Sequence, residues 1–223
     1  MNSLAVPAPD SIKAYSRLGL KLYDSLIMEG IAPWVWGCLP QVLVDHYRDH
    51  VTGNHADIGV GTGYCLDHAG FPVPNPRLAL IDLQPNCLEY TARRLWRFEP
   101  RCYWRDVLLP IRGIEGPRFD SIALNGVLHC LAGEFAHKAR AFDNLAGLTK
   151  PGTKIFGCTL VSDRPGRRWK WRRRAAHALL NRLRVIDNRR DYVADLRAAL
   201  TTRFDRTEIQ LVGCMALFSA VAR

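Results

Sequence analysis

Asp57-Ile58-Gly59-Val60-Gly61-Thr62-Gly63 stands where a β-rich run, His55 to Val60, passes into a helical pattern at Tyr64 to Ala69. Glycines at such a junction let the backbone take conformations closed to other residues and let a ligand come close to the chain. A tight turn also uses glycine for purely conformational reasons, so the heptapeptide is read with its surroundings. Outward from it, β-rich runs at Arg77 to Asp82, Cys102 to Asp106, Phe119 to Asn125 and Lys154 to Leu160 alternate with helical patterns at Pro85 to Phe98 and Glu134 to Leu148. The last of these helices is stopped by Thr149-Lys150-Pro151-Gly152. Strands alternating with helices make a parallel sheet covered on both faces. Thr207 to Val212 and Met215 to Val221 are separated only by Gly213 and Cys214, too little chain for a crossover helix. The last two strands are therefore expected as an antiparallel hairpin, and the fold as α/β.

The 223 residues (25.2 kDa) are 48% hydrophobic and 23% charged, the balance of a soluble globular domain, which excludes wholesale disorder. The longest apolar stretch, Cys214 to Ala222, falls far short of the ~20 residues that span a bilayer. Met1 to Asp10 has neither a basic start nor a long apolar run, so the expectation is a cytosolic protein. Seven scattered cysteines without a C-x-x-C pattern read as reduced thiols used in the core, and His46 and His50, four apart, lack a third ligand, so no metal is expected. The net charge of +10 is local: the stretch from Arg164 to Arg190 carries eleven Arg or Lys against the single acid Asp187.

Asp82 closes the second strand about 20 residues after the glycine loop, where a carboxylate can accept bonds from both hydroxyls of a ribose. The glycine spacing, G-x-G-x-G, differs from the G-x-G-x-x-G of dinucleotide sites, and Asp57 two residues ahead would repel phosphate while suiting a cationic ligand. No G-x-x-x-x-G-K-[ST] motif is present to support triphosphate hydrolysis.

These motifs, with Leu80-Ile81-Asp82-Leu83, Arg105-Asp106-Val107, Phe119-Asp120-Ser121-Ile122, Asn125-Gly126-Val127-Leu128-His129 and Leu148-Thr149-Lys150-Pro151-Gly152, resemble those of class I S-adenosylmethionine-dependent methyltransferases over roughly residues 53–160 and the terminal hairpin. The resemblance implies a Rossmann-like three-layer sandwich: a seven-stranded, mostly parallel sheet with the last strand antiparallel. It also implies roles. Gly59, Gly61 and Gly63 would line the methionine part of the cofactor, with Asp57 near its ammonium. Asp82 would hold the ribose, Leu83 would pack on the adenine, Asp106 and Val107 would meet the adenine edge, and Asn125 with Gly126 would border the sulfonium. The fourth strand lacks the Asp/Asn-Pro-Pro-Tyr/Phe motif of many amino-methylating nucleic-acid enzymes, which lowers a base-methylating role.

Methyl transfer from a sulfonium is an in-line displacement whose main demand is orientation of the nucleophile. A base is needed only where the acceptor must lose a proton, and His129, just past the fourth strand, is the histidine placed for that work, or else simply packs against backbone. Residues 1–52 read as an N-terminal helical cap, in which Ser11 caps a helix and Trp34-Val35-Trp36 forms a turn. Tyr15, Tyr23, Trp34 and Trp36 of this cap are the candidate acceptor-pocket residues, against the plainer reading that the tyrosines only dock it. The Trp-rich cap and Leu128-His129-Cys130-Leu131 resemble a subgroup of small methyltransferases of microbial natural-product pathways. The core is then 53–223, with a basic lid insertion at about 163–190, where Trp169, Ala176, Leu180 and Leu183 share one helical face. That insertion reads as a solvated arginine face, as a site for an anionic substrate or acidic partner, or as a contact for RNA or anionic lipid. The expected activity is methyl transfer to an oxygen, nitrogen, sulfur or carbon of a small organic acceptor; the alternatives are an RNA methyltransferase and a non-catalytic cofactor-binding module.

Overall fold

The computed structural model describes residues 19–20, 24–162 and 171–223. The Ser11-capped start of the first helix, Tyr15, Tyr23 and the front of the basic segment, Trp169 included, lie outside the described residues.

In chain order the elements are α1 (Asp24–Trp36), α2 (Pro40–His50), β1 (Asn54–Ile58), α3 (Tyr64–Ala69), β2 (Arg77–Asp82), α4 (Pro85–Arg94), β3 (Arg101–Trp104) and β4 (Ser121–Asn125). Then follow α5 (Phe135–Lys138), α6 (Arg140–Asp143), β5 (Lys154–Leu160), α7 (Trp171–Arg182), α8 (Val193–Arg203), β6 (Asp205–Val212) and β7 (Met215–Val221). Alternation along β2 shows how the layers arise. Leu78 and Leu80 pack with Tyr47, Leu66, Cys87 and Leu88, whereas Ala79 and Ile81 pack with Phe135, Phe142, Leu196 and Leu200. Successive strand residues face opposite sides, so an unbroken apolar strand needs helices on both.

The seven strands run in the order β3-β2-β1-β4-β5-β7-β6, with β7 antiparallel to both neighbours and the others paired in parallel. The class I architecture expected from the motifs is thereby found. Strand order reverses between β1 and β4, and a ligand crevice opens at the carboxyl ends of strands at such a switch.

Three local expectations change. Glu134 to Leu148 is not one helix: it breaks into α5, α6 and a 3₁₀ turn at Asn144–Gly147. The first break falls at Ala139, beside Lys138, whose ammonium is drawn into the protein instead of pointing to solvent. Trp34-Val35-Trp36 is not a turn but the end of α1, which is wound in wide π-type turns around Pro33, a residue with no N–H to offer, and is terminated by Gly37 at φ +69°. Leu180 of α7 packs inward while Leu183, just past its end, is exposed, so the expected apolar face is narrower than the pattern implied.

The cap is stitched to the end of the sheet. Cys214 N–H donates to Trp36 O at 2.9 Å, and a Cβ on Gly213, at φ +63°, would lie 2.0 Å from that same oxygen. Gly213→Ala is expected to cost about 3 kcal/mol through strain and overpacking, lowering the melting temperature by roughly 6–12 °C in a chain of this size. A melt unchanged within a degree or so would show that this contact carries no stability.

Candidate active site

The site begins with polar side chains inside the fold. Tyr47 Oη lies 2.7 Å from His55 Nε2, and His55 Nδ1 lies 2.8 Å from Ser121 Oγ, so α2, β1 and β4 are joined beneath the glycine loop. Burial drives His55 down to about 3 and keeps it neutral. Asp57, one residue before the end of β1, is pushed up to about 7 by burial, against a hydrogen bond from Tyr47 and reinforced by the charge of Asp82. Asp82 is pushed up to about 6, again by burial, against the backbone N–H groups around it; that of Gln84 is 2.7 Å away. Neither of these buried carboxyls has a cationic partner among the described residues.

The loop between β1 and α3 has Gly59, Gly61 and Gly63 all at positive φ. At Gly61 a Cβ would meet nothing within 4 Å, so the backbone faces open space there. The start of α1 is fastened to this loop: Thr62 Oγ1 donates to Asp24 Oδ1 at 2.7 Å, and Arg94 to Asp24 Oδ2 at 2.5 Å, while Arg94 Nε reaches Asp67 at 2.8 Å.

Between cap and sheet lies a cavity of about 110 Å³. One part of its wall is Asp57, Gly59, Gly61, Thr62 and Gly63; another is apolar, from Met28, Trp36, Leu43 and Met215. Asn125, Gly126 and His129, at and just beyond the end of β4, complete it with Tyr47 and Cys158. Eight of the residues singled out from sequence thus share one wall: Asp57, Gly59, Gly61, Gly63, Asn125, Gly126, His129 and Trp36.

Others sit elsewhere. Asp82 and Asp106 are buried at the ends of β2 and β3, outside this wall, and Asp106 Oδ1 accepts from Leu108 N–H at 2.8 Å. Leu83 is half-buried and its carbonyl accepts from Trp104 Nε1 at 2.8 Å, whereas the Val107 side chain belongs to the main core. Trp34, expected at the acceptor pocket, is 78% exposed: two positions apart on a helix, the two indoles cannot share a face, and Trp36 takes the buried one.

His129 does not suit the role of a base titrating near neutrality. Burial lowers it to about 3, assisted by the positive charges of Lys138 and His177. Its Nδ1 accepts from Leu160 N–H at 3.1 Å, so the neutral ring carries its proton on Nε2 and offers a donor there. The sequence reading missed Met28, Leu43, Tyr47, Cys158 and Met215, whose apolar or helical contexts give no sign of a wall. It also missed Trp104; His55, a histidine set in a strand beside Ala56, is the one signal that could have pointed to Tyr47.

A family model described as a methyltransferase domain matches residues 56–155. Demethylluteothin O-methyltransferase of Streptomyces thioluteus is 36% identical over 211 residues, covering 95% of this chain and 90% of the relative. The physcion biosynthesis cluster O-methyltransferase of Aspergillus chevalieri is 30% identical over 220 residues, with 96% of each chain covered. Among solved structures, the DhpI–SAH complex superposes with a TM-score of 0.66 at 12% identity, covering 96% of this chain and 95% of the other. Human N-acetylserotonin methyltransferase in complex with SAM gives 0.65 at 16% identity, covering 97% of this chain and 60% of the other.

Proposed function

Because this chain belongs to the class I S-adenosylmethionine-dependent methyltransferase family, we propose that it methylates an oxygen of a small organic acceptor held beneath the N-terminal helical cap. The observation that carries this reading is the two-part cavity: buried carboxyl and glycine backbone on one side, Met28, Trp36, Leu43 and Met215 on the other. The names of the relatives, O-methyltransferases of a streptomycete compound and of a fungal biosynthetic cluster, support oxygen as the atom methylated. They do not support RNA or a lipid surface as the acceptor.

The residues present fit the cofactor. Asp57 and Asp82, held up by burial, gain what they lack from a ligand with a cationic ammonium and a pair of ribose hydroxyls. The open space at Gly61 leaves room for the ligand against the backbone. In this reading Asp57 holds the ammonium, Asp82 the ribose, Leu83 with Asp106 and Val107 the adenine, and Asn125 with Gly126 the neighbourhood of the sulfur. The cofactor supplies an electrophilic methyl group on a positively charged sulfur. The protein's share is to aim the acceptor oxygen along the C–S axis and to keep water out by the cap, which Asp24 fastens to Thr62 and Arg94.

Mass spectrometry after incubation with S-adenosylmethionine and demethylluteothin, alongside a panel of hydroxylated aromatics, is the direct test. A gain of one methyl on oxygen is expected. Gain only on amine or thiol analogues, or on none, overturns the oxygen assignment.

A pH effect follows from the carboxyls. A cation binds the ionised form, so a proton must leave Asp57 before the ligand can settle. Affinity for S-adenosylhomocysteine is therefore expected to be full above about pH 7 and to fall as pH drops through that value, by roughly tenfold per pH unit once below it. Asp82, raised to about 6, adds a loss of the same sign at lower pH. A dissociation constant that stays flat down to about pH 5 would contradict the assignment of Asp57 to the ammonium.

A further inference from the structure

The residues of the acceptor part of the cavity carry hydrogen-bond donors and, among the described residues, no free base. Trp36 and Asn125 both belong to its wall, and Trp36 Nε1 and Asn125 Nδ2 are buried without a hydrogen-bond partner among the described residues. A buried N–H left unpaired costs about 1–3 kcal/mol, so two in one wall mark a place shaped for a ligand's oxygens. His129, its Nδ1 taken by Leu160 N–H, adds a third donor in Nε2–H. Of the remaining polar groups of the wall, Tyr47 is engaged with His55 and Thr62 with Asp24, burial pushes Tyr64 and the thiols of Cys65 and Cys158 up and so keeps them protonated, and Asp57 lies on the glycine-loop side, where the ammonium claims it. An ordinary phenol, with a pKa of about 10, would find no group among the described residues to take its proton.

We propose that this pocket selects a carbonyl-conjugated hydroxyl that arrives already ionised, an acidic enol or phenol whose oxygens are read by Trp36 Nε1, Asn125 Nδ2 and His129 Nε2. The inference rests on the reading of the cavity as a methyl-transfer site and names the substrate class for it. The hydroxyl proton goes to solvent before binding. In the transfer itself an oxygen lone pair forms the O–C bond while the C–S pair returns to sulfur, anion and sulfonium become neutral ether and thioether, and no proton moves. Delocalisation gives such an anion two oxygens, one to accept from the donors and one to attack. The apolar wall from Met28, Leu43 and Met215 suits its flat skeleton.

The test uses the full chain loaded with S-adenosylhomocysteine and two probes of similar size: 4-hydroxycoumarin, a carbonyl-conjugated enol ionised at neutral pH, and 1-naphthol, which is not. Calorimetry is expected to show 4-hydroxycoumarin binding at least about tenfold more tightly, a difference of about 1.4 kcal/mol. Trp36→Phe, which keeps a ring and removes the N–H, is expected to erase that preference. Equal binding of the two probes, tighter binding of 1-naphthol, binding of neither, or equal weakening of both by Trp36→Phe overturns the proposal. Nitrogen NMR of wild-type His129 gives a measurement that needs no variant in the wall: Nδ1 unprotonated and Nε2 protonated near neutral pH is expected, and the opposite tautomer overturns the donor assignment. A protein that binds S-adenosylhomocysteine yet fails these tests loses only this inference, whereas one that does not bind it loses the methyl-transfer reading as well.

Discussion

Asp82→Ala weakens binding of S-adenosylhomocysteine by roughly a hundredfold or more. A carboxylate bonded to two ribose hydroxyls makes two charge-assisted hydrogen bonds, each worth about 1.5–3 kcal/mol, and every 1.4 kcal/mol is tenfold in affinity. Asp82 is buried at the end of β2 and pulled toward its ionised form by the N–H groups of Gln84, Gly61, Val60 and Leu83, so its position is fixed before any ligand comes. The same contacts mean that alanine also strips partners from the glycine loop. Asp82→Asn, which keeps the shape and loses the charge, separates the two effects. It should retain the melting temperature more nearly than alanine does while losing most of the affinity. Calorimetric affinity unchanged in both variants would remove Asp82 from the ribose site.

Lys138→Met is expected to produce the largest loss of stability, about 3–5 kcal/mol, or a fall of roughly 10 °C in melting temperature. Lys138 is fully buried and its ammonium donates to both oxygens of Asp191, at 2.9 and 2.7 Å, and to the carbonyl of Asp187. Burial pushes Asp191 up to about 6 in spite of the lysine beside it, a sign that desolvation weighs heavily on this pair. Removing the lysine leaves a buried carboxylate alone. Lys138→Met combined with Asp191→Leu removes both charges and should recover most of the loss, returning the melt to within a few degrees of the wild type. A single variant as stable as the parent would refute the account. The pair also bears on the cavity, because the segment it anchors returns a hydrogen bond from Asp187 N–H to His129 O at 2.7 Å.

How much of this was legible in the chain depended on the range of the forces involved. Arg77–Asp82, Lys154–Leu160 and Met215–Val221 match the runs read from sequence because each is an apolar stretch bounded by turn residues, a signal contained in the strand itself. The glycine loop, Asp57 and Asn125 carry their meaning in local spacing, and they share one cavity wall. Lys138 reads as a solvent-facing helical lysine because its partner, Asp191, is 53 residues away. The tautomer of His129 is chosen by the N–H of Leu160, 31 residues on, and no periodicity reports such a bond. Trp36 and Trp34 are alike in sequence; only the docking of α1 against the hairpin decides which indole is enclosed.

That docking has a consequence for the order in which the molecule becomes competent. Trp36 belongs to the first element described, and the backbone N–H that donates to its carbonyl, that of Cys214, lies between the last two strands. On a ribosome the cap, though Asp24 already fastens it to the glycine loop, therefore cannot complete its seam with the sheet until the final hairpin has emerged. Closure joins residues 178 positions apart, the kind of distant pairing that slows folding. A nascent chain halted before β6 would expose the apolar underside of α1, and rescue of such a chain falls to whatever shields greasy surfaces during synthesis.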